Sequence, residues 1–158
     1  MIIQGEVYYI QNRWSGKQVD VYGCGTNNGT NIHLWTLNKT NVQKFRVIKD
    51  GSYYSFLSLW DENKAIDGGG KEFIIHIWDY SQNNNNQKWE KLIEDEWYSL
   101  ICKNNNHVMD VAFCHMHDRA NIICHYEHHF QGNQQFRFIN ITIFWIIHNN
   151  KSKFFMHY

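Results

Sequence analysis

Proline is absent from the 158 residues, so Gly and Asn must supply the turns. Net charge is absent as well: 15 Lys and Arg balance 15 Asp and Glu, and the pI is near 7.1. This excludes the broad basic surface that neutralising a phosphate backbone requires, so nucleic acid is not an expected partner. The longest apolar run, Ile141 to Ile147 around Thr142, falls far short of the roughly 20 residues that span a bilayer as a helix, so no transmembrane segment is expected. The opening Met1-Ile2-Ile3-Gln4-Gly5-Glu6 leaves no room for a signal peptide before the first aromatic segment. Cysteines stand at 24, 102, 114 and 124 and are read as not recurring at equivalent positions. A disulfide framework is therefore not expected, and a reducing, cytoplasmic setting is.

What the chain does have is repetition. Gln43-Lys44-Phe45, Gln87-Lys88-Trp89 and Gln134-Gln135-Phe136 recur 44 and 47 residues apart. Other landmarks keep that period. An apolar-Asp pair precedes each triplet, at Val19-Asp20, Ile66-Asp67 and Met109-Asp110, and an aromatic lies between at Trp35, Trp78 and Tyr126. Each repeat opens on an aromatic segment, Tyr8-Tyr9-Ile10, Tyr53 to Phe56 and Trp97 to Leu100, with Tyr9, Tyr54 and Tyr98 as its markers. The segments are short, rich in aromatic and β-branched residues, and divided by Asn, Gly, Ser and Asp. No 3.6-residue period persists, so the chain reads as all-β.

The first repeat divides into four strands, 6–12, 18–22, 31–36 and 43–48, and three repeats make twelve. Four strands cannot bury both faces alone, but three such units about a pseudo-threefold axis close a barrel and cap it, which defines a β-trefoil. The expected domain covers residues 1–140, with repeats at about 5–48, 49–93 and 94–140. Residues 141–158 form an apolar tail. Each triplet aromatic precedes the next opening aromatic by nine residues, and nine beyond Phe136 is Trp145, so the tail reads as the stub of a further repeat. Left exposed, its 141–147 stretch would be an aggregation-prone edge strand.

The strings Gly16 to Val21, Asn28 to Trp35 and Gln43-Lys44-Phe45, echoed by Ile75 to Trp78 and Asn86 to Trp89, resemble the ricin B-type lectin family. The resemblance implies a non-catalytic carbohydrate-binding trefoil with one shallow sugar pocket per repeat. A sugar offers hydroxyls on its rim and C–H groups on one face, so a site needs a bidentate acceptor and an aromatic plate. In the family the Asp accepts from two hydroxyls, the aromatic stacks on the ring, an Asn before the triplet bonds a hydroxyl, and the Gln orients the Asp. Carried onto this chain, the first pocket has Asp20, Trp35 and Gln43, with Val42 where the family has Asn. The second has Asp67, Trp78, Asn86 and Gln87, with a shorter loop between acceptor and plate. The third has Asp110, Tyr126, Asn133 and Gln134. His33 and His76 stand where relatives carry Gln and are further sugar contacts, with Cys124 in that place in the third repeat. The triplet aromatics are expected in the core. Residues 18 and 37, which carry the disulfide of the family's secreted members, are Gln and Leu. The resemblance further implies terminal galactose or N-acetylgalactosamine as ligand, glycoconjugates as partners and no cofactor, and leaves a homodimer open.

Three other readings compete. Six of the ten His lie in the third repeat, and Cys114-x-x-His117 with Cys124-x-x-x-His128 imitates zinc spacing. On a strand His115 and His117 would share one face and Cys114 the other, which argues against a metal site. Asp61-Glu62 and Glu94-Asp95-Glu96 are acidic pairs of the kind glycoside hydrolysis uses, but they fall at repeat boundaries, where turn charges are ordinary. A trefoil serving protein interaction, as protease inhibitor or cytoskeletal binder, is the alternative to the lectin reading.

Overall fold

The periodic segments are rich in β-branched and aromatic residues, and each forms a strand. In the computed structural model, which describes residues 1–127, 131–143 and 145, the first repeat supplies β1 (Val7–Asn12), β2 (Gln18–Val21), β3 (Thr30–Trp35) and β4 (Lys44–Asp50). The second supplies β5 (Tyr53–Ser58), β6 (Lys64–Asp67), β7 (His76–Asp79) and β8 (Trp89–Glu94). The third supplies β9 (Trp97–Cys102), β10 (Val108–Val111), β11 (Ile122–His125) and β12 (Phe136–Asn140). These twelve strands are the expected β-trefoil.

Six strands close a ring through the pairs β1–β4, β4–β5, β5–β8, β8–β9, β9–β12 and β12–β1. The hairpins β2–β3, β6–β7 and β10–β11 cap it. The caps meet near the pseudo-threefold axis, where Ile32 N–H donates to Ile75 O at 3.1 Å, Ile75 N–H to Ile122 O at 3.1 Å and Leu34 N–H to Ala120 O at 2.9 Å. These bonds occupy backbone groups that a lone hairpin would leave open.

The triplet explains the core. Phe45 pairs in register with Tyr8, Trp89 with Tyr54 and Phe136 with Tyr98, so each triplet aromatic faces the opening aromatic of its own repeat. The first marker is thus Tyr8 rather than Tyr9. Phe45, Trp89 and Phe136 are completely buried, as are Val19, Ile66 and Met109 before the three Asp residues. Burial of each such side chain stabilises the fold by about 1.5–3 kcal/mol. Phe138 packs its ring 5.2–5.9 Å from those of Phe56, Tyr98 and Tyr8.

Three expectations change. Residues 141–143 and 145 take helical conformation, not the strand expected of a further repeat. The cause is local: Asn140 Oδ1 accepts from Thr142 N–H at 2.9 Å and Ile143 N–H at 3.3 Å, as a helix cap does, and β12 has already closed the barrel against β1. The rest of the tail lies outside the described residues. Second, Cys24 and Cys114 are equivalent, each ending a 3-10 turn after the Asp-bearing strand, both at φ 56°. Third, His115 and His117 lie in a loop rather than on a strand, with rings 4.9 Å apart.

Candidate functional site

Each repeat places its Asp on the cap's first strand, its aromatic on or just after the second, and its Gln on a 3-10 turn ahead of the last strand. The three carboxylates are almost fully buried, at 5%, 3% and 4% exposure for Asp20, Asp67 and Asp110. Buried charges need donors, and the three repeats supply them differently.

In the first repeat Gln43 Nε2 donates to Asp20 Oδ2 at 2.9 Å and to Thr36 O at 3.0 Å, while Gln43 Oε1 accepts from Asn38 N–H at 2.9 Å. The Gln therefore orients the Asp, as the resemblance implies. His33 Nε2 lies 2.9 Å from Asp20 Oδ1 and must carry the shared proton, because the carboxylate only accepts. His33, expected as a sugar contact, is thereby committed to Asp20. Its ring stacks at 5.6 Å and 27° on Trp35, which stands half-buried at the rim of a 340 Å³ cleft. Val42, in the place of the family's Asn, is buried in the wall.

The third repeat reaches the same end by another route. Gln134 Nε2 donates to Asp110 Oδ2 at 2.6 Å and to Tyr126 O at 2.8 Å, and Asn133 Nδ2 donates to Asp110 Oδ1 at 3.0 Å. Asn133 thus supplies the donor that His33 supplies in the first repeat. Tyr126 is 68% exposed, flanked edge-on by His107 at 4.6 Å, with Phe73 of the second repeat 5.2 Å beyond.

The second repeat departs from the expectation. Gln87 does not reach Asp67; its Nε2 donates to Asp79 O at 3.0 Å and its Oε1 accepts from Ser81 N–H at 2.9 Å. Asp67 Oδ1 accepts from the Gly69 N–H of its own turn at 2.8 Å, and Oδ2 from Asn84 Nδ2 at 2.9 Å. His76 stays 3.6 Å away, and Asn86 Oδ1 is buried without a partner. The shortened loop is the cause. A Cβ on Gly69 would stand 2.4 Å from Asn86 Nδ2, and one on Gly70 1.9 Å from Ile74 O, so only glycine lets the chain fold back onto the carboxylate. Trp78 remains 43% exposed.

Residues not singled out by sequence complete the picture. Thr36 and Asp118 join the first and third repeats, with Thr36 N–H and Oγ1 donating to Asp118 Oδ1 at 2.8 and 2.9 Å and Lys17 Nζ at 2.8 Å. Lys17 foremost, with Thr36, holds the Asp118 carboxyl below the usual range. That anchor carries Arg119 over Trp35, 5.7 Å from the ring centroid. The signal available in the sequence was period alone, since Arg119 lies two repeats after Gly29.

Among the described residues no group of His, Cys, Asp and Glu is placed to hold a metal, and His128 and His129 lie outside them. Cys102 and Cys124 are buried and hydrogen-bonded to each other, which pushes the Cys124 thiol up and draws Cys102 down. Of the acidic pairs, Glu62 bonds Arg46, Glu96 bonds Arg137 and Asp61 caps its own turn at Asn63. No helix among the described residues is long and apolar enough to cross a membrane.

Comparison with known proteins agrees with this fold. Residues 2–72 match the family described as ricin-type beta-trefoil lectin domain-like. No curated protein matches. A designed threefold-symmetric protein is 25% identical with a TM-score of 0.79, over 85% of this chain and 98% of its own. The Macrolepiota procera ricin B-like lectin, solved with lactose, is 12% identical with a TM-score of 0.71, over 89% of this chain and 99% of its own. An exo-β-1,3-galactanase from Clostridium thermocellum is 23% identical with a TM-score of 0.74, over 89% of this chain but only 31% of its own. Residues 2–72 thus match the ricin-type β-trefoil lectin-like family by sequence, and the chain shares the β-trefoil fold of these solved structures.

Proposed function

We propose that the chain is a non-catalytic carbohydrate-binding module that recognises terminal galactose or N-acetylgalactosamine through shallow Asp-plus-aromatic sites, and that residues 1–140 form the binding domain. The observation that carries this is the Gln bridge in the first and third repeats. Gln43 and Gln134 each tie the buried carboxylate to the backbone beside the aromatic plate, so acceptor and plate are held at a fixed separation. Such preorganisation is what a weak, solvated sugar contact needs. The bound lactose of the Macrolepiota protein supports the galactose assignment.

The proposed sites are Asp20 and Trp35 in the first repeat, with His33 and Gln43 orienting the carboxylate, and Asp110 and Tyr126 in the third, with Asn133 and Gln134 orienting it. The set Asp67, His76, Trp78, Asn86 and Gln87 ranks below them, because Asp67 is held by Gly69 and Asn84 and lacks the Gln bridge to the backbone beside its aromatic. Each site binds weakly alone. Two or three on one rigid body raise avidity on a multivalent surface by about 10²–10⁴ when the glycan spacing permits simultaneous engagement. At the repeat junctions Asp61, Glu62 and Glu96 are engaged in surface bonds, which supports a non-catalytic reading. A glycan array probed with the full chain tests this: enrichment on galactose-terminated structures is expected, and enrichment on no glycan would replace the reading with a protein-binding trefoil.

A further inference from the structure

Arg119 differs from the other arginines of the described residues. Arg13 donates to Gln135, Arg46 to Glu62, and Arg137 to Gln11 and Glu96. Among the described residues the Arg119 guanidinium meets no carboxylate or amide side chain, and it lies over the Trp35 ring. At 5.7 Å from the centroid it lies near the outer limit of cation–π attraction, so the plate does not consume it. It is exposed, and it lines the same cleft as Asp20, His33 and Trp35. Neither neighbouring acid pairs with it: Asp20 is oriented by His33 and Gln43, and Asp118 is held by Lys17 and Thr36.

The backbone singles out the same residue. Arg119 sits at φ 71°, a left-handed conformation that penalises side chains with a Cβ. Its counterpart in the first repeat is glycine. Gly29, at φ 86°, donates its N–H to Ile77 O at 2.9 Å, as Arg119 donates to Leu34 O at 2.8 Å. The position is thus built for glycine, and one repeat keeps an arginine there despite the strain, which points to a role for its side chain. Val42 puts an apolar side chain where the family's amide would stand, and among the described residues Arg119 is the one cationic Lys or Arg side chain lining this cleft.

From this we infer that the first-repeat site prefers acidic galactosides: a galactose unit carrying a sulfate or a carboxylate-bearing substituent, its ring on Trp35 and the anionic group on the Arg119 fork. The inference rests on the carbohydrate-binding reading above. A planar guanidinium engages either anion through two parallel N–H bonds, which a neutral sugar does not offer. The preference belongs to the first repeat. Gly29 places no side chain over Trp78, and Tyr126 is flanked by His107.

Calorimetry of the full chain with lactose, 3′-sialyllactose and 3′-sulfolactose tests it. Either acidic probe, or both, binds about tenfold tighter than lactose at low salt, and the advantage shrinks in 0.5 M salt. Binding of one acidic probe alone identifies the source of the anion. Arg119→Gly, which suits the backbone, brings the ratio close to one, Arg119→Lys retains part of it, and Lys91→Ala, over Tyr54 and Tyr98, leaves it unchanged. Equal binding of the three probes, or a preference that survives Arg119→Gly, overturns the inference while leaving the lectin reading in place. Binding of none overturns both.

Discussion

Replacing Gln43 with Leu tests whether the triplet Gln serves the carboxylate or merely the loop. Gln43 makes three bonds: one to the buried Asp20 carboxylate at 2.9 Å, one to Thr36 O at 3.0 Å and one from Asn38 N–H at 2.9 Å. A hydrogen bond to a charged group contributes about 1.5–3 kcal/mol and a neutral one about 1, so Gln43→Leu should destabilise by roughly 3–5 kcal/mol. Gln87 makes two well-formed neutral bonds and none to Asp67, so Gln87→Leu should cost about 2 kcal/mol. Both side chains are completely buried, so burial does not separate them. Urea unfolding followed by tryptophan fluorescence at 15 °C, with the slope m checked for constancy, reads the difference. A gap of about 1.5–3 kcal/mol is expected from the carboxylate bond alone. Equal costs within about 0.5 kcal/mol would refute the argument that the bridge to Asp20 is a charged, buried interaction.

Two further outcomes follow. Gly70→Ala should destabilise the protein and disturb the Asp67 turn, because its Cβ would fall 1.9 Å from Ile74 O; an unchanged melting temperature would contradict the tight fold-back. A thiol reagent at pH 8 should label Cys24 and Cys114 at once and Cys102 and Cys124 only on unfolding, since the latter pair is buried and the Cys124 thiol is pushed up; rapid labelling of all four would show the pair accessible.

The parts of the fold legible from sequence are those that three copies impose together. Phe45, Trp89 and Phe136 recur because the barrel presents the same partner, Tyr8, Tyr54 or Tyr98, to each. Asp20 and Asp110 were legible for a related reason, since a buried carboxylate demands a donor and the Gln lies within reach in both repeats. Asp67 carried the same motif and lost the bridge, because backbone closure over Gly68-Gly69-Gly70 decides which donor arrives first, and residue type does not encode that geometry. The swap of donors between His33 and Asn133 was hidden likewise: each compensates for the other's absence in its own repeat. Arg119 was invisible because it acts across a repeat boundary. The helical turn after Asn140 overrode an apolar stretch that reads as strand, since a cap needs only one side chain and two amides.

The most direct measurement is titration of the full chain with lactose, followed by Asp20→Asn, Asp110→Asn and the double variant, each shown to retain its melting transition. The account predicts weak binding at two principal sites, one lost with each single change and both with the double. Binding that persists undiminished in the folded double variant would contradict it.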